Sequence, residues 1–244
     1  MRSLIRSAVL ALAALGASAV GGLAAATPVA AGGARGRLSD DFESYQVATW
    51  AEGSTNGPWY VNFNGGGRVN IANDGTKVLH EKPTISTSSG ETHSTLVTSK
   101  QAYGDFDVTV RMKTVAQLRT GSTPNAWERA WFLWRYVDNT DFYYLTLKAT
   151  GIEIGKADPR YGGDQRFLPY YEGTNWGVGS WNTLRVRMIG ATMQIWVDGV
   201  LQYAQSGGTN QTFTDSERPL LWGKFGFYTE DSEAEFDEFA MGRV

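Results

Sequence analysis

Short segments in which apolar and polar residues alternate recur along most of this chain, and this pattern constrains the fold more than any other feature. Clear examples are residues 106–113, 183–188 and 193–198, where every second side chain is apolar. A period of two is typical of β-strands with one buried and one wetted face. Asp198-Gly199, between two short apolar segments, predicts a tight type I′ hairpin. No long window after Asp40 shows the 3.6-residue apolar period of an amphipathic helix.

The central part of the chain predicts a hairpin that is apolar on both strands. Residues 131–137 are apolar at nearly every position, Asp138-Asn139-Thr140-Asp141 form the turn, and residues 142–148 return. The 29 glycines and an aromatic content of 13% also favour strands and turns. Because no Pro- or Ser-rich linker interrupts the strands, we expect one all-β domain, a two-sheet antiparallel β-sandwich, over residues 40–244. A flexible lead-in is expected over residues 32–39.

The first 31 residues have the pattern of a secretory signal peptide. Arg2 and Arg6 precede an apolar run from Ala8 to Ala26, which is followed by small residues suited to peptidase cleavage. This run contains Gly and Ser and leads into a cleavage site, so we do not interpret it as a membrane anchor. The folded protein is therefore expected to be exported and extracellular, without a membrane partner.

Charge and residue usage exclude several functional classes. The chain has a net charge of −3, and loss of the leader with Arg2 and Arg6 makes the charge more negative. A negative net charge argues against generic binding to nucleic acid or anionic membranes. The chain contains no cysteine and two histidines, which excludes thiol catalysis, zinc–thiolate sites, iron–sulfur clusters and a three-histidine metal centre. An exported domain without disulfides must be stabilised by its own core, with a structural calcium ion as a possible addition and no organic cofactor.

Several short motifs together resemble a known family. They are Ser39-Asp40-Asp41-Phe42, Gly104-Asp105-Phe106-Asp107-Val108, Trp181-Asn182-Thr183-Leu184-Arg185-Val186, Trp196-Val197-Asp198-Gly199 and Phe225-Gly226-Phe227-Tyr228-Thr229-Glu230-Asp231. This set resembles concanavalin A-like, LamG-type jelly-roll domains of secreted bacterial proteins, including 3-keto-disaccharide hydrolase-like and polysaccharide-active relatives. The resemblance covers residues 39–244. It implies a jelly-roll fold, whereas function varies from lectins to hydrolases and lyases across that superfamily.

One motif of the hydrolases in that superfamily does not transfer. Laminarinase-type members carry Glu-x-Asp-x-x-Glu on a central strand of the sheet that binds sugar. The nearest string here is Glu233-Ala234-Glu235-Phe236-Asp237-Glu238, which belongs to the last strand. We therefore do not assign those carboxylates to catalysis.

A polar string between the middle strands is the densest group of potential ligand-binding residues. Residues 148–167 combine glycine, proline and charges, and we interpret them as a long loop over an aromatic floor of Trp127, Trp131, Trp134 and Tyr143. The alternative is a solvated excursion with surface ion pairs. Because sugars stack on aromatic rings and bond to polar side chains, we expect a polysaccharide or oligosaccharide ligand. The predicted substrate-binding residues are Trp127, Arg129, Trp131, Lys148, Lys156, Tyr161, Gln165 and Arg166.

Two cleavage chemistries are compatible with the residues of this region. A hydrolase needs two carboxyl groups around the glycosidic bond, and Glu128, Glu153 and Asp158 are available. A lyase needs a base, such as His93 or Tyr143, and a cation to neutralise an acidic sugar. A single histidine at a strand edge is more often structural than catalytic.

A separate group of carboxylates suggests a structural metal site. Asp40 and Asp41 open the first strand and Asp237 lies in the last. These strands are neighbours in sandwiches of this type, where calcium is often bound by carboxylate and carbonyl oxygens. The alternative is that the aspartates merely start the strand and that Glu230, Asp231 and the acidic residues after them form a solvated patch.

The sequence thus predicts an exported, monomeric, carbohydrate-active protein that cleaves a glycosidic bond in an extracellular polysaccharide. Two alternatives remain open. One is a lectin-like binding module without catalysis, and the other is a structural or adhesive sandwich that binds protein.

Overall fold

The computed structural model describes residues 36–172, 175–202, 209–242 and 244. The predicted signal peptide lies outside these residues. Eighteen strands form the described fold: β1 (Leu38–Asp40), β2 (Thr49–Trp50), β3 (Thr55–Asn56), β4 (Trp59–Phe63), β5 (Arg68–Asp74), β6 (Thr76–Lys82), β7 (Ser94–Ser99), β8 (Phe106–Gln117), β9 (Ala130–Asp138), β10 (Asp141–Lys148), β11 (Gly151–Ala157), β12 (Gln165–Glu172), β13 (Asn182–Ile189), β14 (Thr192–Val197), β15 (Val200–Leu201), β16 (Phe213–Thr214), β17 (Lys224–Glu230) and β18 (Ser232–Gly242).

These strands form two sheets. The ten-stranded sheet follows the order β15-β14-β13-β8-β18-β6-β5-β2, with β1 also paired to β18 and β16 to β14. The eight-stranded sheet follows the order β12-β11-β10-β9-β17-β7-β4-β3. The all-β sandwich prediction is confirmed, and no helix long and apolar enough to cross a membrane occurs among the described residues.

The core between the sheets follows from the alternation in the sequence. On β8, Phe106, Val108, Val110 and Met112 point into the core, whereas the residues between them are partly exposed. Each such apolar side chain contributes about 1.5–3 kcal/mol when fully buried. Large aromatic rings from both sheets fill the centre, among them Trp59, Phe132, Trp134, Phe227 and Phe239. A disulfide-free chain of this length is thus stabilised by a continuous aromatic core.

Two predicted hairpins are confirmed. Strands β9 and β10 pair antiparallel, with Trp134 opposite Tyr143. Strands β14 and β15 pair through Asp198 and Gly199, whose φ angles of 49° and 78° are both positive, as a type I′ turn requires.

Two boundaries differ from the sequence prediction. The chain enters the sheet at Leu38, which pairs with Met241, so the last part of the predicted lead-in already belongs to β1. The predicted loop over residues 148–167 instead contains β11 and the start of β12, and only residues 149–150 and 158–164 lie outside strands. Polar residues are tolerated on β11 because Glu153 and Lys156 each have a buried ion-pair partner.

Candidate functional site

The eight-stranded sheet has a second apolar cluster on the face turned away from the core. We call this side the outer face. The cluster consists of residues from β7, β9, β10, β11 and β17, with Phe63 and Trp127 packed against it, and its buried members are Leu96, Trp131, Leu133, Tyr136, Phe142, Tyr144, Ala157 and Tyr228. Five of these side chains are aromatic rings, and several have polar groups close to them. The outer face is therefore the candidate site.

A row of side chains crosses four adjacent strands of the outer face. Glu153 on β11 is paired with Thr146 on β10, Thr146 with Trp131 on β9, and Trp131 with Tyr228 on β17. Directly paired residues project from the same side of a sheet, so this register brings a carboxylate and two large rings into one line.

The rings pack closely around Trp131. Its ring stacks on Tyr144 with a centroid distance of 4.4 Å and meets the edge of Tyr228 at 5.4 Å. The Trp131 indole Nε1 donates to the backbone oxygen of Trp127 at 2.8 Å. This bond and the two ring contacts hold Trp131 in place, and only 3% of the residue is exposed.

A first polar group lies on the β10–β11 side of Trp131. The Lys148 ammonium forms an ion pair with Glu153 Oε2 at 2.5 Å, and the Tyr144 hydroxyl donates to Glu153 Oε1 at 3.1 Å. Gln165 donates in turn to the Tyr144 hydroxyl. Burial raises the pKa of Tyr144 well above its usual value, with the Glu153 carboxylate adding to the rise. The Tyr144 hydroxyl is therefore protonated and Glu153 accepts two hydrogen bonds.

A second polar group lies on the β17 side. Glu230 accepts hydrogen bonds from the Tyr228 hydroxyl at 3.0 Å and from Trp127 Nε1 at 3.2 Å. Burial raises the pKa of Glu230 to about 8, and the nearby charge of Asp231 adds to the rise. Glu230 is thus a carboxylic acid that still carries its proton at neutral pH. Protonated acids of this kind are typical proton donors in active sites.

Arg129 lies next to both groups in sequence register. It directly precedes β9, and strand alternation from Trp131 places it on the outer face. When the pairing of β9 with its neighbours is continued to this position, Arg129 lies opposite Glu230 on β17 and opposite Lys148 on β10. The residue is 6% exposed, and its Nε and Nη1 atoms are buried without a hydrogen-bond partner. Burial lowers its pKa.

Trp127, Arg129, Trp131, Lys148, Glu153 and Gln165 are the sequence-predicted site residues that the structure brings to the outer face. The other predicted residues lie elsewhere. Tyr143 and Trp134 are core residues, stacked on each other at 6.0 Å, because alternation turns them inward while Trp131 and Tyr144 turn outward. They do not belong to the predicted aromatic floor.

Three of the remaining predicted site residues bond to the buried carboxylate of Asp215. The Tyr143 hydroxyl donates to Asp215 at 2.6 Å, and Lys156 and Arg166 form ion pairs with the same carboxylate. Burial opposes the ionisation of Asp215, but the bonds from Tyr143 and Arg166 outweigh it and lower the pKa. This network anchors the segment after residue 208 to β10, β11 and β12.

The loop between β11 and β12 is ordered by a second carboxylate. Asp158 accepts from Arg160 and Arg218, each at 2.9 Å. Burial disfavours the charged form of Asp158, but these hydrogen bonds prevail and lower its pKa. Tyr161 lies on the same loop and is 43% exposed. Asp158 is thus bonded to arginines that stabilise its charge.

Glu128 and His93 belong to a network beside the outer face. Arg119 bridges Glu128 at 2.7 Å and Asp231 at 2.5 Å. Asp231 also accepts from the backbone nitrogen of His93 at 2.8 Å, and His93 Nδ1 lies 3.0 Å from the Ser86 hydroxyl. Each group has a structural partner here, so the network fixes the chain around Trp127 and Glu230.

The predicted calcium ligands lie on neighbouring strands, as expected from the β1–β18 pairing. Asp40 accepts from the Tyr45 hydroxyl at 2.7 Å and from Trp59 Nε1 at 2.8 Å, and Asp237 accepts from Thr76 at 3.0 Å. Asp41 accepts from the backbone nitrogen of Glu43 at 3.2 Å. Within the described ranges, no group of three or more His, Asp or Glu side chains is arranged to hold a metal ion. The calcium site stays a prediction, which a thermal melt with and without EGTA checks.

Tyr144, Tyr228 and Glu230 are site residues that were not predicted from the sequence. Alternation along residues 225–230 already separates Phe225 and Phe227 from Tyr228 and Glu230. Alternation does not reveal the pairing of β17 with β9, which joins residues about a hundred positions apart in the chain. Glu230 and Asp231 are buried and bonded in the structure, so the alternative of a solvated acidic patch does not hold for them.

Solved structures show which fold class this arrangement belongs to. A β-glucanase of Bacillus licheniformis matches with a TM-score of 0.52 and 15% identity, over 86% of this chain and 99% of that one. A carbohydrate-binding module of Bacillus subtilis matches with a TM-score of 0.51 and 16% identity, over 75% of this chain and 93% of the other. The protein is therefore a concanavalin A-like jelly-roll sandwich.

The sequence narrows this class to one family. Residues 40–241 match the 3-keto-alpha-glucoside-1,2-lyase-like domain, so the chain belongs to that carbohydrate-active family. A comparison with curated protein sequences gave no significant match.

Proposed function

We propose that this protein is an exported enzyme that cleaves the glycosidic bond of a saccharide bound on the outer face. One observation carries the proposal. Glu230 is a protonated carboxyl group with a pKa of about 8, on the same face as the rings of Trp131, Tyr144 and Tyr228. In both hydrolysis and elimination, the oxygen that leaves the anomeric carbon must take up a proton. Glu230 is the group that supplies it.

The second polar group contributes to binding of the saccharide. Glu153 is bonded to Lys148 and Tyr144. It lies three strands away from Glu230 and is shifted from it by two residues along the strand direction. Strands are about 4.8 Å apart and residues about 3.4 Å apart along a strand, so the two backbones are separated by about 16 Å, which is the width of about three sugar rings. A saccharide lying across β9 and β10 would contact the edges of Trp131 and Tyr144, whose ring faces are stacked on each other, and would meet a polar group at each end.

We favour elimination on a keto-sugar over hydrolysis, because the family is named for a 3-keto-alpha-glucoside 1,2-lyase. In that reaction a base removes the hydrogen from C2 beside the C3 ketone. The C1–oxygen bond then breaks, a C1=C2 double bond forms, and the leaving oxygen takes the proton of Glu230. The base then releases the C2 proton to solvent, and Glu230 takes up a proton from solvent, so both groups regain their starting states. Because C2 and the leaving oxygen belong to the same sugar, the base must act within one ring of Glu230, so Glu153, three strands away, binds the other end of the saccharide.

The experiment compares two buried glutamates that share the same raised pKa. Glu81 lies between the sheets, where its Oε2 accepts from Thr95 at 2.7 Å, and burial raises its pKa to about 8 as well. We expect Glu230→Gln to lower turnover of a 3-keto-α-glucoside about a hundred-fold or more while binding persists. The matched variant Glu81→Gln keeps its turnover.

Product analysis separates the remaining alternatives. An unsaturated keto-sugar indicates elimination, and a new reducing end without unsaturation indicates hydrolysis. Full turnover by the Glu230→Gln variant would refute the assignment of Glu230. Saccharide binding by the wild type without turnover of any substrate in a broad panel would identify a lectin-like module instead.

A further inference from the structure

Arg129 is a buried cation without an anionic partner. Every other strongly buried arginine in the described part of the chain has a carboxylate or carbonyl oxygen at its guanidinium, as in Arg119, Arg135 and Arg166. At Arg129 two nitrogens are shielded from solvent and bond to nothing in the described protein. An unpaired buried charge destabilises a folded protein, and a bound anion would compensate the charge of Arg129.

The surroundings of Arg129 indicate what this ligand is. The residue directly follows Glu128, whose carboxylate is bonded to Arg119, and it precedes the strand that carries Trp131. The outer face supplies aromatic rings that suit sugar faces and a neutral, protonated Glu230 that does not repel an anion. A guanidinium recognises planar carboxylates by geometry as well as by charge.

We propose that Arg129 is the subsite for a carboxylate on the saccharide, so that the protein prefers uronic acid-containing or otherwise oxidised glycans. This inference rests on the proposed function, since it assumes that the outer face binds saccharide. It names a substrate class that neither the family nor the fold specifies.

Binding of a matched pair of sugars tests the subsite without any need for turnover. The probes are maltotriose and the same trisaccharide with its C6 hydroxymethyl groups oxidised to carboxylates, titrated calorimetrically at two salt concentrations. We expect the wild type to bind the oxidised sugar about ten- to hundred-fold more tightly, since hydrogen bonds to charged groups are of that strength. Arg129→Met abolishes this preference, and Arg129→Lys restores part of it.

A control variant removes the same charge from a distant surface. Arg185 is paired with Asp107 at 2.6 Å and its side chain is 45% exposed on the ten-stranded sheet. Arg185→Met is expected to keep the full preference for the oxidised sugar. Loss of preference in this variant would show that general electrostatics, and not the subsite, attracts the ligand.

Thermal stability separates a ligand subsite from a structural arginine. Removal of an uncompensated buried charge relieves a cost, so the ligand-free Arg129→Met variant melts at or above the wild-type temperature. A lower midpoint together with an unchanged sugar preference would overturn the proposal. A loss of turnover that is equal for neutral and oxidised substrates would place Arg129 at the reacting oxyanion and would overturn it too. If Arg129→Met removes the binding preference while no substrate is turned over, the subsite stands and the proposed enzyme function falls.

Discussion

Trp131 and Trp134 lie three positions apart on β9 and have opposite environments. Trp134 packs in the core between the sheets against Phe132 and Tyr143. Trp131 packs on the outer face, where Tyr144 and Tyr228 surround it. Strand alternation alone produces this difference, because an odd separation turns two side chains to opposite sides. The same parity makes Tyr144 a site residue and Tyr143 a core residue.

The two tryptophans are therefore expected to respond differently to truncation. Trp134→Ala should lower the free energy of unfolding by about 3–5 kcal/mol, as for a large side chain removed from a closed core. Trp131→Ala should cost less, because its ring packs only against the outer cluster, and should weaken saccharide binding about ten-fold or more. Urea unfolding and calorimetric titration measure the two effects. Equal stability losses with unchanged binding in the Trp131 variant would show that this ring is only a packing residue.

Strand β11 shows how an element positions a site. Gly155 is paired with Tyr144, and a Cβ atom at this position would overlap the Tyr144 ring. Its missing side chain lets Tyr144 lie flat over β11 and reach Glu153. Lys156, the next residue, points the other way to Asp215. One short strand thus contributes to the outer face and to the network that anchors the neighbouring segment.

Gly155→Ala should displace Tyr144 and break its hydrogen bond to Glu153. We expect a loss of about 1–3 kcal/mol in unfolding free energy, typical of overpacking, together with reduced turnover. Gly162→Ala is the matched control, since a Cβ at Gly162 meets no atom within 4 Å. Both variants are compared by urea unfolding and by initial rates. If the two alanine variants are equally stable and active, Tyr144 does not depend on the space at Gly155.

At the scale of the whole molecule, two buried carboxyl groups link stability to pH. Burial raises the pKa of both Glu81 and Glu230 to about 8, well above the usual value of 4.5. Between these values the folded protein keeps protons that the unfolded chain releases. Their stabilising contribution is complete below the unfolded pKa and is lost as the pH rises through the folded one. The carboxylates with lowered pKa, such as Asp158 and Asp215, act only at more acidic pH.

Stability is therefore expected to fall between pH 5 and pH 8. Each group contributes a slope of up to about 1.4 kcal/mol per pH unit. Glu81→Gln should reduce this slope, because the amide can still accept from Thr95 and does not ionise. Glu217→Gln, at a side chain that is 59% exposed, should leave the slope unchanged. Urea unfolding at pH 5, 6.5 and 8 measures all three proteins, and a wild-type stability that is constant over this range would contradict the prediction.

Local pattern was sufficient to predict the class of fold. Alternation along β8, β13 and β14 and the Asp198-Gly199 turn depend on neighbours in sequence, so the sandwich, its central hairpin and the β14–β15 turn could be derived from the residues themselves. The same period turns Trp131 and Trp134 to opposite sides, so the predicted aromatic floor could not contain both of them. The predicted loop over residues 148–167 failed because polar residues usually indicate solvent, whereas on β11 Glu153 is paired with Lys148 and Lys156 with Asp215.

The composition of the outer face, in contrast, was decided by the tertiary structure. Alternation defines two faces of a strand but does not state which one meets the other sheet, and for that reason Tyr143 was chosen in place of Tyr144. The placement of β17 between β9 and β7 brings Tyr228 and Glu230 beside Trp131, and burial by this packing raises the pKa of Glu230. Sequence determines which residues can carry a proton or a charge. Only the long-range pairing of strands determines which of them share a face and how far water is excluded there.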